Sequence, residues 1–279
     1  MLAFQEHRNY NKQFQVSAFI STSISFLAHW HSEVEIICVL DGTLRMGINS
    51  EIRQLQKGDI AICSSRDIHF YDSNNTQSKC LIVLFKPEII DCQSGWPENS
   101  HFQFPFLDKT SFQNEQDYKY VTTCLKDCMH KIYSEIDASK KGYTFIVKSH
   151  LFEISGLALR YLISTLLNNK KKHPHFYSIE KIQKVIEYLN ENYMDQITLK
   201  DAANLVNFSE YHFSRLFNGI VGANFKTYLN NIRVQQAEKL IMESQSPITQ
   251  IALDCGFDSI RTFNRVFKSI KGVNPTSFR

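Results

Sequence analysis

The sequence has no apolar run suited to crossing a membrane. In its most apolar stretch, residues 145–167, the charges Lys148, Glu153 and Arg160 recur, whereas a span needs roughly 18 residues with few or no charges. It shows no basic-then-apolar leader, since Glu6, His7 and Arg8 stand where the apolar core of a signal would lie. It has no CxxC pair. Its 7 cysteines, at 38, 63, 80, 92, 124, 128 and 255, are an odd number at irregular spacing, which argues against a disulfide framework and for a reducing cytoplasm. It also lacks a charge imbalance: 31 Lys+Arg against 28 Asp+Glu give a net charge of only +3, so a nucleic-acid partner has to be argued from pattern. What the chain does have is apolar residues, 43% of 279, enough for real cores and, at this length, for two domains.

Three periodicities divide it. Residues 16–86 carry β-branched or alternating runs (34–40, 44–48, 59–63, 80–85), punctuated by Asp41-Gly42, Lys57-Gly58 and the polar stretch 72–75. Short strands separated by turn signals predict an antiparallel sandwich or small barrel. Residues 87–111 show no regular period. From 117 to 169 the period is helical: Tyr120, Cys124, Cys128 (or Leu125), Ile132 and Ile136 form one apolar stripe, and Val147, Leu151, Ile154, Ala158, Tyr161 and Thr165 another. The second helix is also apolar off its stripe, through Phe152, Leu157, Leu159, Leu162 and Leu166. Such a helix is either buried in a core or has a second partner, as at a dimer face. Residues 170–177, charged and broken at Pro174, read as a linker; 178–279 then carry about seven short helices divided by turn signals.

The last hundred residues repeat themselves at an offset of 50: Ala202 matches Ala252, Ser209 Ser259, Phe213 Phe263, Arg215 Arg265, Phe217 Phe267, Ile220 Ile270, Gly222 Gly272 and Asn224 Asn274. A unit used only twice is a duplicated supersecondary motif rather than a solenoid. Each copy has the parts of a helix-turn-helix: a first helix with a small contact residue (Ala202, Ala252), a tight turn at Asn207 or Gly256, and a serine N-cap (Ser209, Ser259) for a second helix. Phe213 with Phe217 and Phe263 with Phe267 are i, i+4 pairs that point inward, so the residues between them face out. In the second copy these are Ile260, Arg261, Thr262, Asn264, Arg265, Lys268 and Lys271, basic at four positions and acidic at none. That face suits a major groove, where Arg bonds guanine in bidentate fashion. The first copy (Tyr211, His212, Ser214, Arg215) is less basic, and Asn218-Gly219 is expected to fray its helix end.

Residues 197–203, 208–217, Gly222, Tyr228-Leu229, 233–237, 248–252, Gly256-Phe257, 263–268, 272–275 and Phe278-Arg279 together resemble the AraC/XylS family of transcription regulators over about 100 residues. The resemblance implies sequence-specific binding of promoter DNA by a bacterial regulator, often an activator, with RNA polymerase as a further partner. In that family base contacts come from the positions held here by Tyr211, Ser214 and Arg215, and by Ile260, Arg261, Thr262 and Arg265; Lys268 is the expected phosphate contact.

In the strand region His29-x-His31-x-x-x-Glu35, then Gly42, Gly58-Asp59 and His69, have the spacing of a cupin barrel. Alternation puts His29 and His31 on one strand face, where Glu35 and His69 complete a metal-ligand set. The second motif is eroded, with Ser64, Arg66 and Ser73 where cupin enzymes usually carry Pro, Gly and Asn. AraC-type regulators resemble cupins here while using the barrel as a metal-free pocket, in which the position of Tyr71 touches the ligand of sugar-responsive members. A polar effector pocket, a metal site and purely structural histidines remain the three readings, and the pocket is the expectation.

The fold class expected is α+β: a cupin-like β-barrel or jelly roll (1–116), a helical dimerisation hairpin packed on it (117–169), a linker (170–177) and an all-α domain with two helix-turn-helix motifs (178–279). The function expected is a cytoplasmic, non-enzymatic transcription regulator that binds promoter half-sites as a homodimer. A small-molecule effector would bind at His29, His31, Glu35, His69 and Tyr71, with neither cofactor nor metal. The alternatives are a metal-binding cupin enzyme fused to a DNA-binding domain, and a ligand-independent or redox regulator using Cys124 and Cys128.

Overall fold

The computed structural model describes residues 14–73, 77–90, 100–102, 104–162, 164–166 and 174–278. Its contacts divide the chain into two compact units, one holding residues 14–26 and 30–174 and the other residues 175–278 with the short segment 27–29 of the strand region. In the first, strands β1 (Val16–Thr22), β2 (Phe26–His29), β3 (Val34–Ile48), β4 (Glu51–Gln56), β5 (Ile60–Cys63), β6 (His69–Asp72) and β7 (Ser78–Phe85) are followed by the short β8 (Ser100–Phe102) and β9 (Phe106–Leu107). The sheet runs β1-β7-β3-β5-β9, with β4 and β6 also on β3 and β2 on β6.

The course of β3 shapes this unit. From Val34 to Val39 it pairs antiparallel with β7, and with β5 over Glu35–Cys38; from Thr43 to Ile48 it pairs with β4, and over Arg45–Ile48 with β6. Its register with β7 slips at a bulge between Val39 and Asp41 and resumes over Asp41–Gly42, where Asp41-Gly42 predicted a turn, before β4 takes over at Thr43. The strand bends there instead of ending. Gly42 takes φ +74° and lies so close to its neighbour that a Cβ would meet the Gln77 carbonyl oxygen at 1.8 Å, which only glycine tolerates.

Side-chain parity then sorts two cores. Val34, Ile36 and Cys38 join Ile60, Ile62, Leu81 and Val83 in a core that also takes in helical residues. Ile37 and Val39 face the other way, with Leu44, Met46, Ile48, Ala61, Ile82, Leu84 and Phe106. Glu35 has the parity of this second set.

The helices on the first core are α1 (Glu115–Ala138) and α2 (Tyr143–Tyr161). Asn114 caps α1 by accepting from the Asp117 N–H at 2.8 Å. α2 buries Val147, Leu151, Ile154 and Ala158 as its periodicity predicts. α1 is rotated from expectation: Val121, Leu125, Cys128, Met129 and Ile132 are buried, and Tyr120 is 53% exposed. Residues spaced uniformly by four drift about 40° per step around a helix, so the five-residue stripe from Tyr120 cannot share one face, whereas alternating 4 and 3 can. The helical hairpin expected to 169 ends at Tyr161; Leu162 is extended and β10 (Ser164–Leu166) pairs with β8. Strands of two or three residues leave too little pattern to read, which is why 87–111 shows no period. Of the linker expected at 170–177, residues 174–177 belong to α3 (Pro174–Glu191), with Pro174 in the first turn, where a missing N–H costs nothing; 170–173 lie outside the described residues.

The second unit continues with α4 (Leu199–Leu205), α5 (Glu210–Val221), α6 (Phe225–Glu243), α7 (Ile248–Asp254) and α8 (Ile260–Lys271), then a 3-10 turn at Pro275–Phe278. The duplication is visible as the pairs α4–α5 and α7–α8, joined by α6. Contrary to expectation, α5 does not fray at Asn218-Gly219: Ile220 and Val221 are buried and hold the last turn. The tight turns place Asn207 at φ 56° and Gly256 at φ 79°. A Cβ on Gly256 would lie 2.6 Å from the Met194 carbonyl oxygen and 2.7 Å from that of Tyr193. Arg233, buried on α6, donates to the carbonyls of Tyr193 (2.8 Å) and Asp195 (2.7 Å). Its guanidinium lies 5.8 Å from the Phe257 ring centre. The segment after α3 is thus clasped by both the joining helix and the second turn.

Gly256→Ala is expected to destabilise the chain by roughly 1–3 kcal/mol through backbone strain and that clash. Gly219→Ala, with open space around its Cβ, is expected to stabilise it by up to about 1 kcal/mol. Denaturant unfolding of both variants measures the difference, and equal shifts would contradict the account.

Candidate functional site

In α5, Ser209 caps by accepting from the His212 N–H at 3.3 Å. Phe213 and Phe217 are buried with ring centres 5.4 Å apart. On the opposite side Tyr211 is 79% exposed, Arg215 is exposed and Ser214 half-buried. In α8, Ser259 accepts from the Thr262 N–H at 3.2 Å and meets its hydroxyl at 3.1 Å. Phe263, Val266 and Phe267 are buried; Ile260, Arg261, Asn264, Arg265 and Lys268 are exposed and Thr262 half-buried. All eight residues expected to meet DNA therefore lie on the outer faces of these two helices. Lys271 departs from expectation. Its ammonium lies 2.5 Å from Glu238 on α6, which takes it out of the open basic face and leaves Arg261, Arg265 and Lys268.

The two helices differ electrostatically. α8 has no acidic residue in its first turn, so its N-terminal N–H groups add positive potential to that of the arginines. α5 carries Glu210 there, which offsets the same potential.

In the barrel unit the expected pocket residues converge. The Glu35 carboxylate lies 2.9 Å from His31 Nε2 and 3.4 Å from His69 Nε2, and it accepts a hydrogen bond from the Tyr71 hydroxyl. The His31 and His69 rings meet edge-on at 4.8 Å. All four residues and His29 are buried. Each histidine sets its Nδ1 against a backbone carbonyl: His29 on Leu27 (2.9 Å), His31 on Glu33 (3.2 Å) and His69 on Asp67 (2.9 Å). A carbonyl only accepts, so each Nδ1 carries a proton. Nε2 then presents a lone pair unless a second proton or a cation occupies it.

The electrostatics follow from that geometry. Burial alone would raise the Glu35 carboxyl, but hydrogen bonds and charge from His31 and His69 hold it well below the usual carboxylate range. Burial alone would lower His69, yet the Glu35 bond and charge, with the Asp67 carbonyl, raise it. Burial and the nearby Glu35 charge push the Cys63 thiol well up. The cluster thus favours a proton or cation held between carboxylate and imidazoles. The imidazoles of His31 and His69 with the Glu35 carboxylate, the rings oriented by carbonyls, are donors of the types a divalent cation takes.

Sequence reasoning missed the residues that support this cluster. Asp67 accepts from the Ser64 N–H at 2.8 Å and from the Asn49 side chain at 2.9 Å, which fixes the carbonyl under His69. Its one signal in the sequence is an acidic residue two positions before a histidine. Arg66 adopts φ 70°, the left-handed conformation that suits the glycine of the cupin pattern. Cys80 and Ile82 sit in the apolar core on the Glu35 side of the sheet.

Among the described residues no helix is long and apolar enough to cross a membrane. A family model described as AraC-like ligand binding domain matches residues 17–155, and one described as Helix-turn-helix domain matches 202–279. The chain is 22% identical over 264 residues to the HTH-type transcriptional regulator YdeC of Bacillus subtilis (strain 168), covering 90% of this chain and 85% of that one. It is 24% identical over 241 residues to an HTH-type transcriptional regulator of Staphylococcus aureus, covering 86% of this chain but spanning only 30% of that relative's length. A solved structure of fatty-acid-bound ToxT from Vibrio cholerae matches with a TM-score of 0.41 at 15% identity, over 98% of this chain and 96% of that one. With a ligand-binding domain of the AraC type followed by a helix-turn-helix domain, the chain belongs to the AraC-type transcriptional regulators.

Proposed function

We propose that this regulator reads promoter half-sites through α8 and, more weakly, α5, and that an effector in the barrel cluster controls it. One observation carries the reading: α8 buries Phe263 and Phe267 while turning Arg261, Arg265 and Lys268 outward with no acidic neighbour on that helix. The 19 residues of α6 give a helix of about 28 Å, of the order of the roughly 34 Å that separates consecutive major grooves. Tyr211, Ser214 and Arg215 on α5, and Ile260, Arg261, Thr262 and Arg265 on α8, are the proposed base-reading positions, with Lys268 on phosphate.

The effector site we propose is His29, His31, Glu35, His69 and Tyr71. Its buried charge and its donors suit a polar ligand. A second reading, a divalent cation at His31, His69 and Glu35, is favoured by both Nδ1 atoms resting on carbonyls; metal content of chain purified without added metal decides between the two. The redox reading gains nothing from the structure, because burial and Glu153 push the Cys128 thiol up to about 12 and thiolate is the reactive form. The regulator we propose is cytoplasmic, has no enzymatic step and acts as a homodimer, with RNA polymerase as a further partner. Supporting the dimer, Phe145, Phe152 and Leu159 on α2 are 78%, 50% and 53% exposed, and their heptad spacing sets them in one row as in paired helices.

Arg265→Ala is expected to weaken specific DNA binding by roughly 1–3 kcal/mol and relax one base position. Lys268→Ala is expected to weaken binding to all sequences alike and to lower the salt slope by about 1. Binding titrations over a salt series separate these outcomes, and two unchanged variants would sink the interface. Phe152→Asp is expected to shift the chain towards monomer in sedimentation; an unchanged mass would remove α2 from the dimer.

The Glu35 cluster has a pH signature. Glu35 is lowered from 4.5, so its stabilisation is present above that value and is lost as pH falls through the folded one. His69 is raised from 6.5, so its stabilisation is present below that value and is lost as pH rises through the folded one. The stability cost of Glu35→Gln is therefore expected to be greatest between about pH 4.5 and 6.5 and to shrink on either side. A cost independent of pH would contradict the ion-pair reading.

A further inference from the structure

Away from the barrel cluster and the helix-turn-helix faces, the helical hairpin brings together a cysteine, a histidine and a carboxylate. Cys128 comes from α1; His150 and Glu153 sit one turn apart on α2, and their ligand atoms lie within 4.8 Å of one another. We infer that Cys128, His150 and Glu153 form a site for a thiophilic divalent cation, Zn2+ by its donor set, that ties α1 to α2. The inference does not rest on the regulator reading.

The backbone positions are fixed before any ion arrives. Val147, Leu151 and Ile154, which alternate with the two α2 ligands, are fully buried, as are Leu125, Met129 and Ile132 around Cys128. In tetrahedral zinc coordination, with Zn–S near 2.3 Å and Zn–N near 2.0 Å, neighbouring ligand atoms stand about 3.5 Å apart. Closing from 4.8 Å to that spacing takes side-chain rotation of His150 and the exposed Glu153 with the helices unmoved.

The donors suit this ion by type as well as by place. A thiolate, an imidazole and a carboxylate are the three ligand classes zinc takes, and the sulfur disfavours Mg2+ and Ca2+. The Cys128 sulfur and a Glu153 carboxylate oxygen lie within 4.8 Å, and on binding the ion takes the place of the S–H proton. Binding releases that proton to solvent, and two ligand charges balance the ion's two. Lys131 is the cation nearby, and its ammonium is held 2.5 Å from Asp127, which compensates its charge.

There is also a route in. A surface cavity of about 380 Å³, lined by His130, Lys131, Ser134, Glu135 and His150, opens beside the same His150 and gives solvent access on that side. Cys124, one turn before Cys128, lies outside the cluster.

Cobalt(II) tests the site, because a thiolate on Co2+ gives a sulfur-to-metal charge-transfer band in the near ultraviolet that imidazole and carboxylate ligands do not. Full-length chain stripped with chelator is expected to develop this band to one equivalent, and Zn2+ to bleach it. Cys128→Ser is expected to abolish the band, and His150→Ala and, at an exposed position, Glu153→Gln to weaken Co2+ binding at least tenfold. The band requires a thiolate, which His31, His69 and Glu35 do not supply, and this separates the site from the barrel cluster. A chain without the band at millimolar Co2+, or a band that survives Cys128→Ser, would overturn the inference.

Discussion

An α-helix that buries Phe263 and Phe267 on one side has no freedom over where Arg261, Arg265 and Lys268 point. Side chains recur every 3.6 residues, so two phenylalanines a turn apart fix the rotation of the whole helix about its axis. Each buried Phe contributes roughly 1.5–3 kcal/mol of transfer free energy, far more than the screening of exposed arginines can oppose. The basic face is thus a consequence of the core, and the same logic applied to Phe213 and Phe217 presents Tyr211 and Arg215 in the first copy. Serine caps set where each helix begins, and the clasp of Arg233 and Gly256 on the segment after α3 fixes the second turn against the rest of its unit.

The barrel unit applies the other periodicity. Because successive residues of a strand face opposite ways, Glu35 shares a face with Ile37 and Val39, and a charge is carried into a core that is otherwise apolar. That burial is tolerable only because His31, His69 and Tyr71 each meet the carboxylate. Their own positions are set by carbonyls at Glu33 and Asp67, so the cluster is preorganised by backbone rather than by ligand. In the effector role proposed for it, such a site would discriminate between ligands that replace those contacts and ligands that leave them intact.

Much of this is legible in the sequence, and what is not has identifiable causes. The duplicated helix-turn-helix, the caps Ser209 and Ser259 and the left-handed Asn207 and Gly256 can all be read, because each is a local pattern repeated at a fixed offset. His31, Glu35 and His69 can be brought together from strand alternation and the cupin spacing, and Tyr71 through the family resemblance. The bend of β3 at Asp41-Gly42 cannot, since a bulge and a turn use the same residues and differ only in the distant partner, β7. The face of α1 is misread through Tyr120 because uniform spacing of four imitates a stripe over two turns and drifts off it over five. The Lys271–Glu238 pair and the cluster of Cys128, His150 and Glu153 depend on which helices lie side by side, which no local pattern encodes.

The claim on which the account turns is that α5 and α8 of one chain face consecutive major grooves. Methylation-interference footprinting of a bound promoter measures this directly. The account predicts two blocks of major-groove guanines about 10 base pairs apart on one face of the duplex for each chain bound, with the stronger block assigned to α8 by its loss in Arg265→Ala. A single protected groove per chain, or protection confined to the minor groove, would contradict it.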